Sequence, residues 1–201
     1  MANLFPIFLK LEGRTVLVVG AGIIAEQKLG GLVSARAEIH VVAPEASVAI
    51  RELAHNRKLS WSQREFQSLD LTGVFLVIAA TGNPAVNERI FREADARGVL
   101  CNAVDEPERC HFYYGSVVQR GDLQIAISTA GHSPALAQRI RKQLEQEFDN
   151  AYADWLNWLG RARVRLFGRK MDAERRRRIL HRIARPESYA RFRRTQSGVS
   201  Q

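Results

Sequence analysis

The sequence predicts an α/β fold: a doubly wound parallel sheet, then a small α+β region and a basic helical tail. Three observations carry this. Short, continuously apolar runs recur at Thr15–Val19, residues 74–80 and residues 99–104, too uniformly apolar for strands with one face in water. Segments of helical spacing alternate with them. After Pro107 the pattern changes, first to a hairpin and then to helices alone.

The elements follow in chain order. Thr15–Val19 reads as a strand buried on both faces. Gly20 and Gly22 come next, and residues 23–35 have helical spacing with Ala25, Leu29, Leu32 and Val33 on one side. Glu38–Val42 is a second strand, ended by Pro44. Residues 47–55 read as a helix and 59–62 as a short strand. Gly73 precedes the apolar strand 74–80. Residues 83–97 form a helix, with Asn83 as N-cap, Pro84 in the first helical position and Gly98 closing it. Residues 99–104 are a further strand, stopped by Asp105, Glu106 and Pro107. Two strands, 113–119 and 123–128, flank Arg120, Gly121 and Asp122, a hairpin signal. Residues 135–148 form an amphipathic helix with Leu136, Ile140, Leu144 and Phe148 four apart. From residue 150 everything reads as helical, with Trp155, Leu156, Leu159, Val164 and Leu166 as apolar contacts, and residues 188–201 are expected to fray. The expected divisions are 1–112, 113–149 and 150–201.

Charge is unevenly spread. The 201 residues carry a net +9, yet the stretch after position 160 alone holds fourteen basic and three acidic residues, so the rest is close to neutral. Such a tail suits an anionic partner. No apolar run approaches the roughly 18 residues of a membrane span, and the first residues lack the pattern of a secretory leader. The expectation is a cytoplasmic protein with no membrane partner. Cys101 and Cys110 are then expected as reduced thiols. Their spacing with His111 is not that of a zinc site, and the absence of a GxSxG pattern argues against a serine hydrolase.

Residues 20–25, GAGIIA, make a GxGxxA pattern between strand and helix. Gly20 makes the sharp turn, Gly22 lets backbone approach a pyrophosphate, and Ala25 lets helix pack on strand. The N–H groups of the helix start, around Ile23 and Ile24, face the phosphates. A lone glycine pair could equally be a structural turn. Here the strand before, the helix after and a second strand about 20 residues on supply the context of a dinucleotide site. Glu45, beside Pro44 at the end of that second strand, is placed to accept the ribose hydroxyls, which favours NAD over NADP because a carboxylate repels a 2′-phosphate. Thr81 and Gly82 end a strand at the same edge of the sheet, where the ligand crevice lies.

Asp105 ends a strand at that edge too. A carboxylate there suits a base or a metal contact, although Asp before Glu-Pro also reads as a turn residue. Ser133 reads as an N-cap with Pro134 in the first helical position, and His132 beside it is expected to be exposed.

The chain resembles the precorrin-2 dehydrogenase/sirohydrochlorin ferrochelatase family, including the N-terminal module of siroheme synthases. The resemblance rests on residues 4–8 (LFPIF) with Leu11, residues 16–22 continuing into 25–28 (AEQK), residues 41–45 (VVAPE), Ala79, Ala80 and Thr81 with Asn87, residues 101–105 (CNAVD), and residues 126–137 (AISTAGHSPALA). It implies a Rossmann-like NAD-binding domain over 1–112, a dimerisation region over 113–149 and a helical domain over 150–201, assembled as a homodimer. It implies NAD-dependent oxidation of precorrin-2 to sirohydrochlorin, and in some members insertion of Fe²⁺ to give siroheme. Asp105 is implied as the general base for both steps and as a transient contact for Fe²⁺. Asn102, His132 and Ser133 are implied neighbours of the tetrapyrrole, whose carboxylates also suit the basic tail. Relatives often carry proline where this chain has Gly115, and Gly or Arg where it has Ala130 and His132. The alternative from a different class is a non-enzymatic NAD-sensing regulator whose basic tail contacts nucleic acid. No helix-turn-helix pattern or aromatic stacking platform favours that reading.

Overall fold

The computed structural model describes residues 4–197. They fall into two compact units that divide between Tyr113 and Tyr114.

The first unit is built on a five-stranded parallel sheet of order β3-β2-β1-β4-β5, with β1 at Thr15–Val19, β2 at Glu38–Val42, β3 at Ser60–Ser62, β4 at Leu76–Ala79 and β5 at Leu100–Ala103. The uniform apolarity of the central strands now has its cause. Along β1, Val16 and Val18 enter one core with Ala25, Leu29 and Ile50, while Leu17 and Val19 enter the opposite core with Val77, Ile90 and Cys101. A strand covered by helices on both faces has no position left for a polar side chain. Each fully buried Val or Leu contributes roughly 1.5–3 kcal/mol.

The helices cover those faces. α1 spans Ile23–Ser34 and buries Ala25, Leu29 and Leu32. α2 spans Val48–His55, with the Ser47 side chain accepting from the Ile50 N–H. α3 spans Pro84–Asp95, with Asn83 accepting from the N–H groups of Ala85 and Val86. The chain winds outward from β1 through β2 to β3, then returns to lay β4 on the other side of β1. The winding direction therefore reverses between β1 and β4, and a crevice opens at their carboxyl ends.

The second unit begins with the antiparallel hairpin of β6 (Ser116–Arg120) and β7 (Leu123–Ile127), turned at Gly121 with φ +58°. α4 (Pro134–Glu147) follows. Arg120 ties the hairpin to it, donating to the carbonyls of Phe148 at 2.7 Å and Glu145 at 3.1 Å. Gly115 enters the hairpin where a Cβ would stand 2.8 Å from the Ile127 carbonyl oxygen, which explains a residue without a side chain at this point.

The tail is helical as its sequence predicts, and two expectations need correction. The tail is three helices, α5 at Ala151–Phe167, α6 at Ala173–Ile183 and α7 at Pro186–Ser197. Gly168 ends α5, and the Asp172 carboxylate caps α6 by accepting from the Arg175 N–H at 2.8 Å. Residues 188–197, expected to fray, lie within α7. Tyr189 anchors it, stacking on Tyr152 and Trp155 at 4.2 and 5.0 Å between centroids and donating its hydroxyl to Asp149. The remaining four residues of that stretch, 198–201, lie outside the described residues. The apolar stripes of the second unit are also less covered than their spacing suggests. Leu136 and Val164 are exposed, and Ala137 is the one buried residue of α4.

Candidate dinucleotide site

The site starts at the end of β1. The Gly20 N–H donates to the Val42 carbonyl at 2.9 Å, and the Ala80 N–H donates to the Val19 carbonyl at 2.8 Å, so the ends of β1, β2 and β4 are drawn together. Gly20 has φ +99°, and a Cβ there would stand 2.3 Å from the Ala80 carbonyl oxygen and 2.7 Å from its carbon. Its glycine is required by the fold itself. Gly22 is different. It has φ −87°, which any residue can adopt, and a Cβ would meet nothing within 4 Å. The open space lies at the start of α1, where no side chain caps the helix and Ile23 and Ile24 are exposed. Uncapped N–H groups and a bare Cα facing open space fit a pyrophosphate.

The loop after β2 borders this start. The Ser47 N–H donates to the Ala21 carbonyl at 3.0 Å, and the Ser47 hydroxyl donates to Glu26 at 3.0 Å. The Ala43 carbonyl accepts from the Trp61 indole at 3.0 Å. Between these two anchors Pro44 and Glu45 are exposed. On the other side of β1, Thr81 is half-buried and Gly82 exposed at the end of β4.

Asp105 follows β5, tied to β4 by the Val104 N–H donating to the Ala79 carbonyl at 2.9 Å. It is exposed, with φ +62°, a left-handed conformation that Asp tolerates better than most residues. Lys28 on α1 lies within electrostatic reach. Burial pushes its ammonium below the usual lysine range, and the charge of Asp105 opposes that shift.

Asn102 sits on β5 facing inward. It is buried, and its amide nitrogen donates to the Phe112 carbonyl at 2.8 Å and lies 3.3 Å from the Cys110 sulfur. The Cys110 thiol in turn donates to the Ala103 carbonyl at 3.1 Å. Both cysteines are free, and burial pushes Cys101 up to about 12. His111 accepts the Cys101 N–H at Nδ1, which leaves Nε2 to donate to Asp95 at 3.1 Å.

His132 and Ser133 belong to the second unit. Ser133 caps α4 by accepting from the Leu136 N–H at 3.2 Å, and its own N–H donates to the Thr129 hydroxyl. His132 is exposed, after Ala130 and Gly131 with φ +51° and +84°.

Four residues had no role assigned from the sequence, Lys28, Asn87, Glu106 and Arg109, although Lys28 and Asn87 fall within the matched motifs. One sequence signal for Asn87 existed. It shares the buried face of α3 with Ile90 and Ala94, a polar residue in an apolar stripe. The other three become visible only once α1, α3 and the turn after β5 are assembled.

A parallel sheet whose winding reverses at a glycine loop defines the class: this is an NAD(P)-binding fold. Residues 7–116 match the family described as "Putative NAD(P)-binding", and residues 120–147 match "Sirohaem biosynthesis protein central". The solved structure of "SirC, precorrin-2 dehydrogenase" superposes with a TM-score of 0.79 at 30% identity, covering 92% of this chain and 91% of that one. A siroheme synthase of Photorhabdus laumondii is 40% identical over 172 residues, and one of Neisseria meningitidis serogroup B is 38% identical over 177. These stretches cover 86% and 88% of this chain. The chain belongs to the precorrin-2 dehydrogenase family of siroheme biosynthesis. It spans about 37% of the length of either siroheme synthase. The matches are to enzymes, and the nucleic-acid-binding regulator finds no support among them.

Proposed function

We propose that this chain oxidises precorrin-2 to sirohydrochlorin with NAD⁺, with Asp105 as the general base. The observation that carries the reading is the likeness to the precorrin-2 dehydrogenase over 92% of the chain, through both units. The crevice between the ends of β1 and β4 fits the cofactor. The first turn of α1 binds the pyrophosphate, Gly22 keeps the approach open, and Thr81 and Gly82 border the opposite wall. Glu45 binds the ribose hydroxyls and selects NAD over NADP.

Bound NAD⁺ supplies the hydride acceptor. Oxidation removes a hydride and a proton from the macrocycle, and Asp105 takes the proton. Its exposure at the end of β5 leaves the carboxylate reachable by a ligand. His132 and Ser133 contact the tetrapyrrole, and Asn102 supports the site by holding residues 110–112 to β5. Insertion of Fe²⁺ into sirohydrochlorin releases two pyrrole protons and would use the same base, with Fe²⁺ as substrate in transient contact with Asp105. Arginines of residues 150–201 attract the substrate's carboxylates.

The working unit is a homodimer formed through residues 113–149. In support, Val118 is the one buried side chain of the hairpin, while Val117 and Leu136 are exposed. We assign the protein to the cytoplasm, in keeping with the biosynthetic enzymes it is similar to. No helix among the described residues is long and apolar enough to cross a membrane.

The test is anaerobic turnover of precorrin-2 with NAD⁺, followed at the nicotinamide absorbance. Wild type should form NADH, and folded Asp105→Ala should lose at least about 100-fold of the rate. No NADH from wild type with NAD⁺ bound would refute the dehydrogenase. Full activity in the variant would remove Asp105 from the mechanism. Fe²⁺ added to the product then tests chelation.

A further inference from the structure

Asn87 is 4% exposed, yet it is a polar residue on the buried face of α3. A buried amide must find partners or cost roughly 1–3 kcal/mol. Its partners lie in two different loops. Oδ1 accepts from the Thr81 N–H at 3.3 Å and from the Thr81 hydroxyl at 2.6 Å. Nδ2 donates to Glu106 Oε1 at 3.1 Å and lies 3.4 Å from the Thr81 carbonyl oxygen. One side chain thus grips the end of β4 with one atom and the turn after β5 with the other.

Glu106 is held as firmly. Its second carboxylate oxygen pairs with Arg109, whose guanidinium also reaches Glu88 on α3 at 3.2 Å. Its carbonyl accepts from the Arg109 N–H at 2.9 Å. The residue just before it is Asp105, with φ +62°. A left-handed residue outside glycine persists when its surroundings fix it.

We infer that Asn87 and Glu106 form a positioning pair that sets the distance between the cofactor wall at Thr81 and the base at Asp105. This rests on the reading of Asp105 as base and extends it to two residues that touch neither substrate nor cofactor. Thr81 borders the dinucleotide crevice, and Asp105 stands one strand away. With the two loops tied through a single rigid amide, the carboxylate keeps its place relative to the bound nicotinamide. A misplacement of about 1 Å between reacting groups costs up to about 100-fold in rate.

The pair can be reversed chemically. Asn87→Asp keeps an acceptor for Thr81 but sets a carboxylate against Glu106. Adding Glu106→Gln supplies an amide donor in the opposite direction and restores the bond between the loops. The experiment compares wild type, Asn87→Ala, Asn87→Asp and the double variant in the full chain. Three measurements are made: thermal unfolding, NAD⁺ affinity with steady-state kinetics on precorrin-2, and hydrogen exchange of the Thr81 and Ala80 amides.

In Asn87→Ala the Thr81 amide should exchange at least about tenfold faster, because its acceptor is gone. The Ala80 amide, bonded to Val19 in the sheet, should not change. Both single variants should lose about 10- to 100-fold in kcat with a smaller change in KM. The double variant should recover most of what Asn87→Asp loses. Singles that keep kcat within threefold, or a double no better than Asn87→Asp, would overturn the inference. So would equal acceleration of Thr81 and Ala80, which marks general destabilisation. If Asn87→Ala fails to fold, the Asp and double variants decide by the same rescue. A wild type that forms no NADH refutes the proposed function instead, and the pair is then judged on Thr81 exchange, which must rise in Asn87→Ala, and on NAD⁺ affinity, which must fall in Asn87→Asp and recover in the double variant.

Discussion

Gly20→Ala should break the fold where Gly22→Ala breaks only the site. At Gly20 the added methyl would stand 2.3 Å from the Ala80 carbonyl oxygen, 2.7 Å from its carbon and 3.0 Å from the Thr81 nitrogen. All three are backbone atoms of the β4 end, so no side chain can turn aside. Relief requires β1 and β4 to move apart, which strains the bonds from Gly20 to Val42 and from Ala80 to Val19. Overpacking of this kind costs about 1–3 kcal/mol. A non-glycine residue at φ +99° adds about 1–3 kcal/mol more. The expected loss is therefore about 2–6 kcal/mol, a large share of the 5–15 kcal/mol typical of a domain. Urea unfolding followed by tryptophan fluorescence would read it as a lower midpoint. At Gly22 the methyl meets nothing, so stability should change by less than about 1 kcal/mol. NAD⁺ affinity should nevertheless fall at least about tenfold, because the methyl occupies the pyrophosphate's approach. A stable Gly20→Ala variant would refute the close-approach reasoning. Unchanged NAD⁺ affinity in Gly22→Ala would refute the placement of the pyrophosphate.

Glu45→Ala should raise the preference for NADP⁺ relative to NAD⁺ about tenfold, roughly 1.4 kcal/mol, measured as the ratio of the two affinities; an unchanged ratio would remove Glu45 from cofactor selection. Gly115→Ala should destabilise by about 1–3 kcal/mol, since its Cβ would press on the Ile127 carbonyl at 2.8 Å, and wild-type stability in that variant would contradict the tight hairpin entry. Alkaline stability should depend on Cys101, whose thiol is raised from 9.0 to about 12. Between those values the unfolded thiol has lost its proton while the folded one keeps it, so stability falls as pH rises, by up to about 1.4 kcal/mol per pH unit from this group. Cys101→Ala should flatten the decline measured by denaturant titration from pH 8.5 to 11, and parallel declines would show that Cys101 is not responsible.

Much of the first unit was legible because the determining forces are local. Two-sided burial writes itself as uninterrupted apolar runs, and β1 and β2 have the same bounds in sequence and structure. Caps at Asn83 and Ser133 are also local, since a side-chain oxygen bonds to N–H groups two or three residues ahead. The tail was harder. Arginine-rich segments read as helix throughout, but α7 is held by Tyr189 on Tyr152, Trp155 and Asp149, residues 34 to 40 positions away.

The sequence by itself determined the class of sheet, the glycine loop and the family, because strand burial, helix caps and motif spacing are set by neighbours along the chain. Tertiary structure alone showed why Gly20 admits no side chain while Gly22 faces open space, for that depends on how near the end of β4 comes to β1. It also decided that Asn87, Glu106 and Arg109 join the loops bordering the crevice. Hydrogen bonds between loops leave no period in the sequence; they exist only once parallel strands, far apart along the chain, bring their carboxyl ends to one edge.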